Sequence, residues 1–161
     1  MINKLHYEMI SLYGGDPIRI QHFCKVHSYA KLIAEMEQLD KETQFILEVA
    51  ALTHDIGIHF CEEKYGNCNG KLQEKEGPAI AEQLLKKLQF DEKVIERVKY
   101  LIAHHHTYNG IDSIDYQILV EADFLVNICE DGISKEKIIN IYRKIFKTES
   151  GRKICKTMFD I

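Results

Sequence analysis

Apolar side chains recur every three or four residues along most of the chain, which is the period of an amphipathic helix. The first segment with this period covers about residues 2–12, and Gly14-Gly15 interrupts it. Asp16-Pro17 then predicts a helix start, because aspartate caps helices well and proline fits the first helical position. This second helix is predicted to run to about Glu37, with an apolar stripe formed by Ile20, Phe23, Val26, Ala30, Ile33, Ala34 and Met36.

The most apolar segment of the chain predicts a central, buried helix. Asp40 can cap it, and the stretch from Phe45 to Leu52 is interrupted only by Glu48. We expect this helix to end near Gly57. Residues 60–76 are polar, rich in turn-forming residues and without a period, so they predict a loop.

The second half of the chain continues the helical pattern. Gly77-Pro78 predicts a helix start, Asp91 predicts a cap for a helix that ends at His104-His105-His106, and a further helix covers about residues 115–130. Ser134 is expected to cap the last clear helix, and no element is assigned after Gly151. Since no repeat or linker divides the sequence, we predict an all-α, single-domain helical bundle over residues 1–161.

The composition is that of an ordinary globular domain, and the charge limits the classes of binding partner that we expect. Hydrophobic residues make up 45% and charged residues 29% of the 161 positions, with two prolines and nine glycines. The formal charge is 21 − 25 = −4, without a block of consecutive basic residues. A nucleic-acid polymer or an acidic membrane is therefore not expected as the main partner, although a local basic pocket for one phosphate stays open. A homo-oligomer also stays open.

Cysteine usage and hydropathy suggest a cytoplasmic protein. The five cysteines are odd in number and form no CxxC pair, and the first residues have no apolar core like that of a secretory signal. No apolar run approaches the roughly 18 residues that span a bilayer. We therefore expect a soluble, cytoplasmic chain with reduced thiols.

His54-Asp55 is the first candidate for chemistry, because it ends the most apolar helix. An aspartate in that place is costly to bury, and the negative end of the helix dipole disfavours it further. A divalent metal would offset both costs. The alternative is a His-Asp pair that is simply solvated at a helix end.

Two further polar residues are predicted to face the core. Asp123 lies in the apolar stretch 118–126, and His22 lies on the stripe of the second helix. A lone inward histidine is usually a hydrogen-bonded core residue, but three inward polar sites on three helices together favour a metal site. Histidine and aspartate ligands suit Mn, Fe, Co, Ni or Zn better than calcium.

These residues resemble the signature of a known family. His22, then His54-Asp55 within Thr53-His54-Asp55-Ile56-Gly57, then Asp123 within Glu121-Ala122-Asp123, is similar to the H…HD…D motif of the HD-domain metal-dependent phosphohydrolases. The resemblance covers about residues 18–130, with extra helices at both ends. It implies a bundle of the HD-domain type in which His22, His54, Asp55 and Asp123 bind one divalent transition metal. Members cleave phosphomonoesters, phosphodiesters or pyrophosphates, often of nucleotides.

The resemblance also has implications for neighbouring residues. His104-His105 is similar to a histidine pair that binds a second metal or the substrate phosphate in some members. A histidine found before the next helix in such members is missing here, with Gln73 near its place, so a second metal is less favoured than one. Ile58 stands where nucleotidase-like members carry an acidic residue, which leaves that subtype unsupported. Lys25 occupies the place of a basic residue near the substrate phosphate.

The predicted function is hydrolysis of a small phosphoester, with a nucleotide as one candidate, by attack of a metal-bound water. Asp55 would orient the water, His104 or His105 would steady the phosphate or protonate the leaving oxygen, and Lys25 would neutralise charge. His6, His27, His59 and His106 are interpreted as bystanders. The alternatives are a non-catalytic metal or nucleotide sensor on the same bundle, and a di-iron oxygenase.

Overall fold

The computed structural model describes residues 1–161 and contains nine α-helices and no strand. In chain order the helices are α1 (Ile2–Leu12), α2 (Pro17–Met36), α3 (Lys41–Thr53), α4 (Ile58–Tyr65), α5 (Gly70–Lys87), α6 (Glu92–Ile102), α7 (Ile114–Glu130), α8 (Lys135–Ile145) and α9 (Glu149–Phe159). The predicted all-α class is confirmed.

The predicted helix starts are confirmed at three aspartates. The side chain of Asp16 accepts a hydrogen bond from the backbone N–H of the third residue after it, Asp40 accepts from the second and third, and Asp91 accepts from the second. Each bond satisfies one of the N–H groups that a helix leaves without an intrahelical partner. Pro17 occupies the first turn of α2, where its missing N–H costs nothing.

Two buried helices, α3 and α7, form the centre of the bundle. The segment from Ile46 to Thr53 is buried throughout, and most of α7 is buried as well. Helix α2 packs against both α3 and α7, while α6 packs against α3 and α5. Every helix except α4 contributes to one hydrophobic core, and α4 packs on α5. None of them combines the length and apolar character that a membrane-spanning segment requires.

The prediction of a loop over residues 60–76 is wrong. Helix α4 occupies Ile58–Tyr65 and ends at Gly66, which adopts the left-handed conformation with φ 72°. Helix α5 already begins at Gly70, where the Asn69 side chain caps it by accepting from the backbone N–H of Leu72. The turn-forming residues therefore mark one short break between two helices, because asparagine and glycine are as typical of helix ends as of loops.

Gly77-Pro78 does not start a helix but lies inside α5. A Cβ atom at Gly57 would lie 3.1 Å from the Cα of Gly77, and one at Gly77 would lie 2.8 Å from Cγ2 of Ile102. Gly77 thus allows α5 to approach the turn after α3 and helix α6 closely. Close packing, rather than a helix boundary, accounts for this glycine.

The last segment, which the sequence pattern left unassigned, is helix α9. Thr148 caps it, and the buried carboxylate of Glu121 on α7 accepts hydrogen bonds from the backbone N–H groups of Lys147 and Thr148. Helix α9 packs on α2, α7 and α8. A buried acid on the central helix therefore fixes the start of the last one.

Candidate metal centre

Three core elements bring four polar side chains to one point. His22 is on α2, His54 and Asp55 follow the last residue of α3, and Asp123 is on α7. His22, His54 and Asp123 are buried, and the Asp55 side chain is 21% exposed. The cluster is thus largely buried, and Asp55 is its most exposed member.

The spacing of the four side chains fits a shared divalent ion. Nε2 of His22 lies 3.2 Å from Oδ1 of Asp123 and 3.5 Å from Oδ2 of Asp55. Nε2 of His54 lies 3.4 Å from the same Asp55 oxygen and 3.6 Å from the same Asp123 oxygen. Ligand atoms about 2.0–2.2 Å from one ion are roughly 3.0–3.6 Å from each other.

The hydrogen bonding of the two imidazoles supports the same assignment. Nδ1 of His54 donates to the carbonyl of Ala51 at 2.9 Å, and Nδ1 of His22 donates to the carboxylate of Glu130 at 2.9 Å. Nε2 of both rings is buried and has no hydrogen-bond partner. Buried polar atoms are rarely left unpaired, and these two point at the carboxylates of the cluster. The residues present therefore fit a transition-metal ion.

The pKa values in the cluster show that its carboxylates need positive charge nearby, which an ion would supply in place of protons on the histidines. Burial by itself lowers the pKa of His54, but the Asp55 and Asp123 carboxylates outweigh it and raise this pKa to about 9. Burial by itself would raise the pKa of Asp123. The His22 and His54 imidazoles outweigh this effect and hold that pKa far below its usual range. The two carboxylates thus require positive charge beside them, and a divalent cation supplies it without protons.

A second group adjoins the first and shares Asp55. The shared residue's Oδ1 lies 3.6 Å from Nε2 of His105, and His106 completes this group. Oε1 of Gln73 is between the two histidines, 3.3 Å from Nε2 of His105 and 2.7 Å from Nε2 of His106. Burial and the neighbouring His105 lower the pKa of His106 to about 4, so His106 is neutral near physiological pH.

The turn that carries these histidines is held by partly buried hydrogen bonds. Tyr116 donates its hydroxyl to the carbonyl of His104 at 2.5 Å and also contacts the carbonyl of Thr107. Glu74 accepts from the backbone N–H of His106 at 3.0 Å. The backbone of Asp55 is fixed in a similar way, because the hydroxyl of Tyr13, the residue after α1, donates to its carbonyl at 2.7 Å.

Comparison with known proteins decides the family. The sequence model described as HD domain matches residues 19–147, a segment that includes all four clustered residues. The chain belongs to the HD domain family. The resemblance predicted from the H…HD…D motif is confirmed, and the matched segment extends beyond residue 130 into helix α8 and the residues that follow it.

A solved structure is similar to this HD domain over nearly its whole length. It is the crystal structure of a predicted HD superfamily hydrolase from an uncultured Thermotogales bacterium, with 26% sequence identity and a TM-score of 0.69. The similarity covers 98% of this chain and 84% of that one. No curated protein matches the chain.

Most of the predicted site residues of the HD domain lie together, but not all of them do. The structure brings together His22, His54, Asp55 and Asp123, and it adds His105 at the edge of the cluster. His104 is outside both groups, because its Nδ1 donates to the carbonyl of Tyr100 at 2.7 Å and its ring stacks on that tyrosine. Its catalytic role stays a prediction.

Lys25 lies beside the site of the HD domain but has an acidic partner. Its Nζ is 2.6 Å from Oε1 of Glu130, and its side chain is 44% exposed. Lys25 and Glu130 border a surface groove of about 450 Å³, together with Pro17, Ile18 and Gln21. Substrate binding by Lys25 stays a prediction.

Two residues of the HD domain site escaped the sequence analysis. His106 is a predicted bystander but stands in the second group, and Glu130, which contacts His22, is not among the predicted site residues. The other three histidines interpreted as bystanders pair elsewhere: His6 with Cys24, His27 with Glu48 and His59 with Asp16. The sequence offers one signal for Glu130: it follows Asp123 by two helical turns, so both lie on the same face of α7.

The stability of the metal-free HD domain is expected to fall as pH rises from about 6.5 to about 9. The folded-state pKa of His54 is raised, so its contribution is complete below the ordinary value of 6.5 and is lost as pH rises through about 9. The loss is on the order of 3 kcal/mol in the free energy of unfolding. Urea unfolding of the metal-free protein across this interval measures it. A His54→Gln variant serves as control and should show a flatter profile.

Proposed function

We propose that this HD domain is a metal-dependent phosphohydrolase that acts on a small phosphoester, with nucleotides among the candidates. One observation carries the proposal: two buried imidazole nitrogens without partners face two carboxylates at the spacing of metal ligands. The similar Thermotogales protein, described as a predicted HD superfamily hydrolase, supports hydrolysis as the reaction class.

A divalent transition metal held by His22, His54, Asp55 and Asp123 would supply Lewis-acid chemistry, polarising a phosphoryl oxygen and making a water acidic enough to attack it. The roles of the protein groups follow from their positions. Asp55 directs Oδ2 to the two ligand histidines and Oδ1 to His105. It can therefore fix the ion and accept a hydrogen bond from the attacking water with the same carboxylate.

His105 is placed to act on the leaving group. Its Nδ1 donates to the carbonyl of Ile102 at 2.7 Å, so its Nε2 faces the site and can take up or donate a proton near Asp55. Lys25, at the groove beside His22, would neutralise the charge of the bound phosphate when it exchanges Glu130 for the substrate.

A di-iron oxygenase is the second candidate, and the position of Asp55 favours it. One carboxylate oxygen belongs to each of the two groups, as in a ligand that bridges two ions. Gln73 argues against a second ion, since its Oε1 accepts from Nε2 of His106 and so leaves no lone pair on that nitrogen for a metal.

Elemental analysis combined with an activity screen tests the proposal. We expect the gently purified protein to retain about one Mn, Fe, Co, Ni or Zn per chain, and added metal to raise the unfolding temperature of the stripped protein. The loaded protein should hydrolyse at least one member of a panel of nucleotides, phosphomonoesters, phosphodiesters and pyrophosphates.

The other outcomes separate the alternatives. Two irons per chain would favour the oxygenase, and one retained metal without turnover on any member of the panel would favour a sensor. A protein that retains no metal and is not stabilised by added metal would overturn the proposal altogether.

A further inference from the structure

Glu130, the last residue of α7, joins the metal centre to its surroundings. Its Oε2 accepts from Nδ1 of His22 at 2.9 Å, and its Oε1 accepts from Nζ of Lys25 at 2.6 Å. Glu130 follows Asp123 by two helical turns, while His22 and Lys25 are three residues apart on α2. Glu130 on α7 thus faces α2, where it contacts both His22 and Lys25.

The bond to Glu130 decides which nitrogen of His22 faces the cluster. A carboxylate only accepts, so Nδ1 of His22 carries a hydrogen and Nε2 is the nitrogen available to an ion beside Asp55 and Asp123. If the ring carried its hydrogen on Nε2 instead, it could not bind an ion there. A neighbouring carboxylate also raises the basicity of the imidazole and strengthens it as a ligand.

His22 differs in this respect from the other imidazoles of the site. His54 and His105 donate Nδ1 to backbone carbonyls of their own turns, Ala51 and Ile102. Those acceptors come with the local fold, whereas His22 depends on a side chain from another helix. Lys25 holds that side chain on its other oxygen, which limits its rotation.

The location of Glu130 is unfavourable without these partners. It ends a helix, where the dipole disfavours a negative charge. Two hydrogen bonds to His22 and Lys25 offset this cost. The acid therefore serves the residues around the cluster rather than the stability of its own helix.

We propose that Glu130 is a positioning residue for the metal centre, which holds His22 in the orientation and tautomer that binds the ion. This inference rests on the proposed function as far as metal binding is concerned, but not on any activity. Replacing Glu130 with alanine should lower the affinity for the metal by roughly 10- to 100-fold. Glu130→Gln should lose less, because its amide oxygen still accepts from Nδ1 while the charge is gone.

Titration of the metal-stripped protein with Mn²⁺, Co²⁺ or Zn²⁺ alone measures these affinities. Asp131→Asn is the matched control, since it removes the same charge one position later, where no contact with His22 exists. Thermal unfolding of each stripped variant shows whether the fold is kept, and Glu130→Gln preserves the shape of the side chain should the alanine variant be unstable. The order expected is wild type and Asp131→Asn together, then Glu130→Gln, then Glu130→Ala.

Two results would overturn the inference alone: a Glu130→Ala affinity within about twofold of wild type, or an equal loss in Asp131→Asn. A Glu130→Gln variant no better than alanine, with both folded, would replace the hydrogen-bond explanation by one of charge and would also contradict the proposal as stated. A wild-type protein without measurable metal affinity would overturn the proposed function and this inference together.

Discussion

Replacing Asp55 with alanine is expected to abolish both metal retention and hydrolysis. The carboxylate contacts both ligand histidines through Oδ2, at 3.5 and 3.4 Å, and His105 through Oδ1 at 3.6 Å. Its loss removes one of four ligands and the group that orients the attacking water. Elemental analysis and activity on the best substrate of the panel, measured on the same preparation, should both fall to background.

Two companion variants make this result specific. Asp55→Asn keeps the size of the side chain but removes its charge, and it should also lose the metal if the carboxylate binds it. Lys25→Ala should keep the metal, because Glu130 still accepts from His22, and should weaken substrate binding instead. An equal loss of metal in Asp55→Ala and Lys25→Ala would remove Lys25 from the substrate site.

Replacing His105 with alanine is expected to lower the turnover rate by roughly 10²- to 10⁴-fold while the metal stays bound. The His105 imidazole is 1% exposed, and its Nε2 faces Oδ1 of Asp55, outside the group of His22, His54 and Asp123. It is therefore placed for proton transfer rather than for holding the first ion. Turnover at saturating substrate and metal content are the two measurements.

His104→Ala is the informative comparison for that variant. Its ring stacks on Tyr100 at 4.3 Å between centroids and donates to that residue's carbonyl. The geometry leads us to expect a small effect on turnover. A loss as large as that of His105→Ala would support the catalytic role predicted for His104 from the sequence, and loss of a second metal equivalent in either variant would support a two-metal centre.

The helices that carry the candidate metal centre were predictable because their sequences contain strong local signals. Asp16 and Asp40 cap α2 and α3, and the apolar run before His54 requires burial. His22 and Asp123 were recognisable as polar residues on apolar faces. Such positions are rare without a partner or a ligand, so a single sequence indicates them.

Local signals fail where one residue type serves two purposes. The turn residues between Phe60 and Gly77 end one helix, start another and allow close packing, yet they are also typical of a loop. Three successive histidines at 104–106 look equivalent in sequence, and only the turn held by Tyr116 decides which ring faces Asp55. Glu130 lies in a polar stretch, and its contact with His22 depends on how α7 packs on α2.

The hydrogen bond from Tyr13 to the backbone of Asp55 has a consequence for the smallest unit that can function. Tyr13 precedes the segment that the family match covers, yet its hydroxyl donates to the backbone carbonyl of Asp55, the most exposed residue of the cluster. A fragment trimmed to residues 19–147 would leave that carbonyl with only its second donor, the backbone N–H of Ile58, and would remove α1 from α3. The boundary of sequence similarity is therefore not the boundary of the candidate metal centre. Transplanting only the matched segment into another chain would transfer the four clustered residues without part of their support.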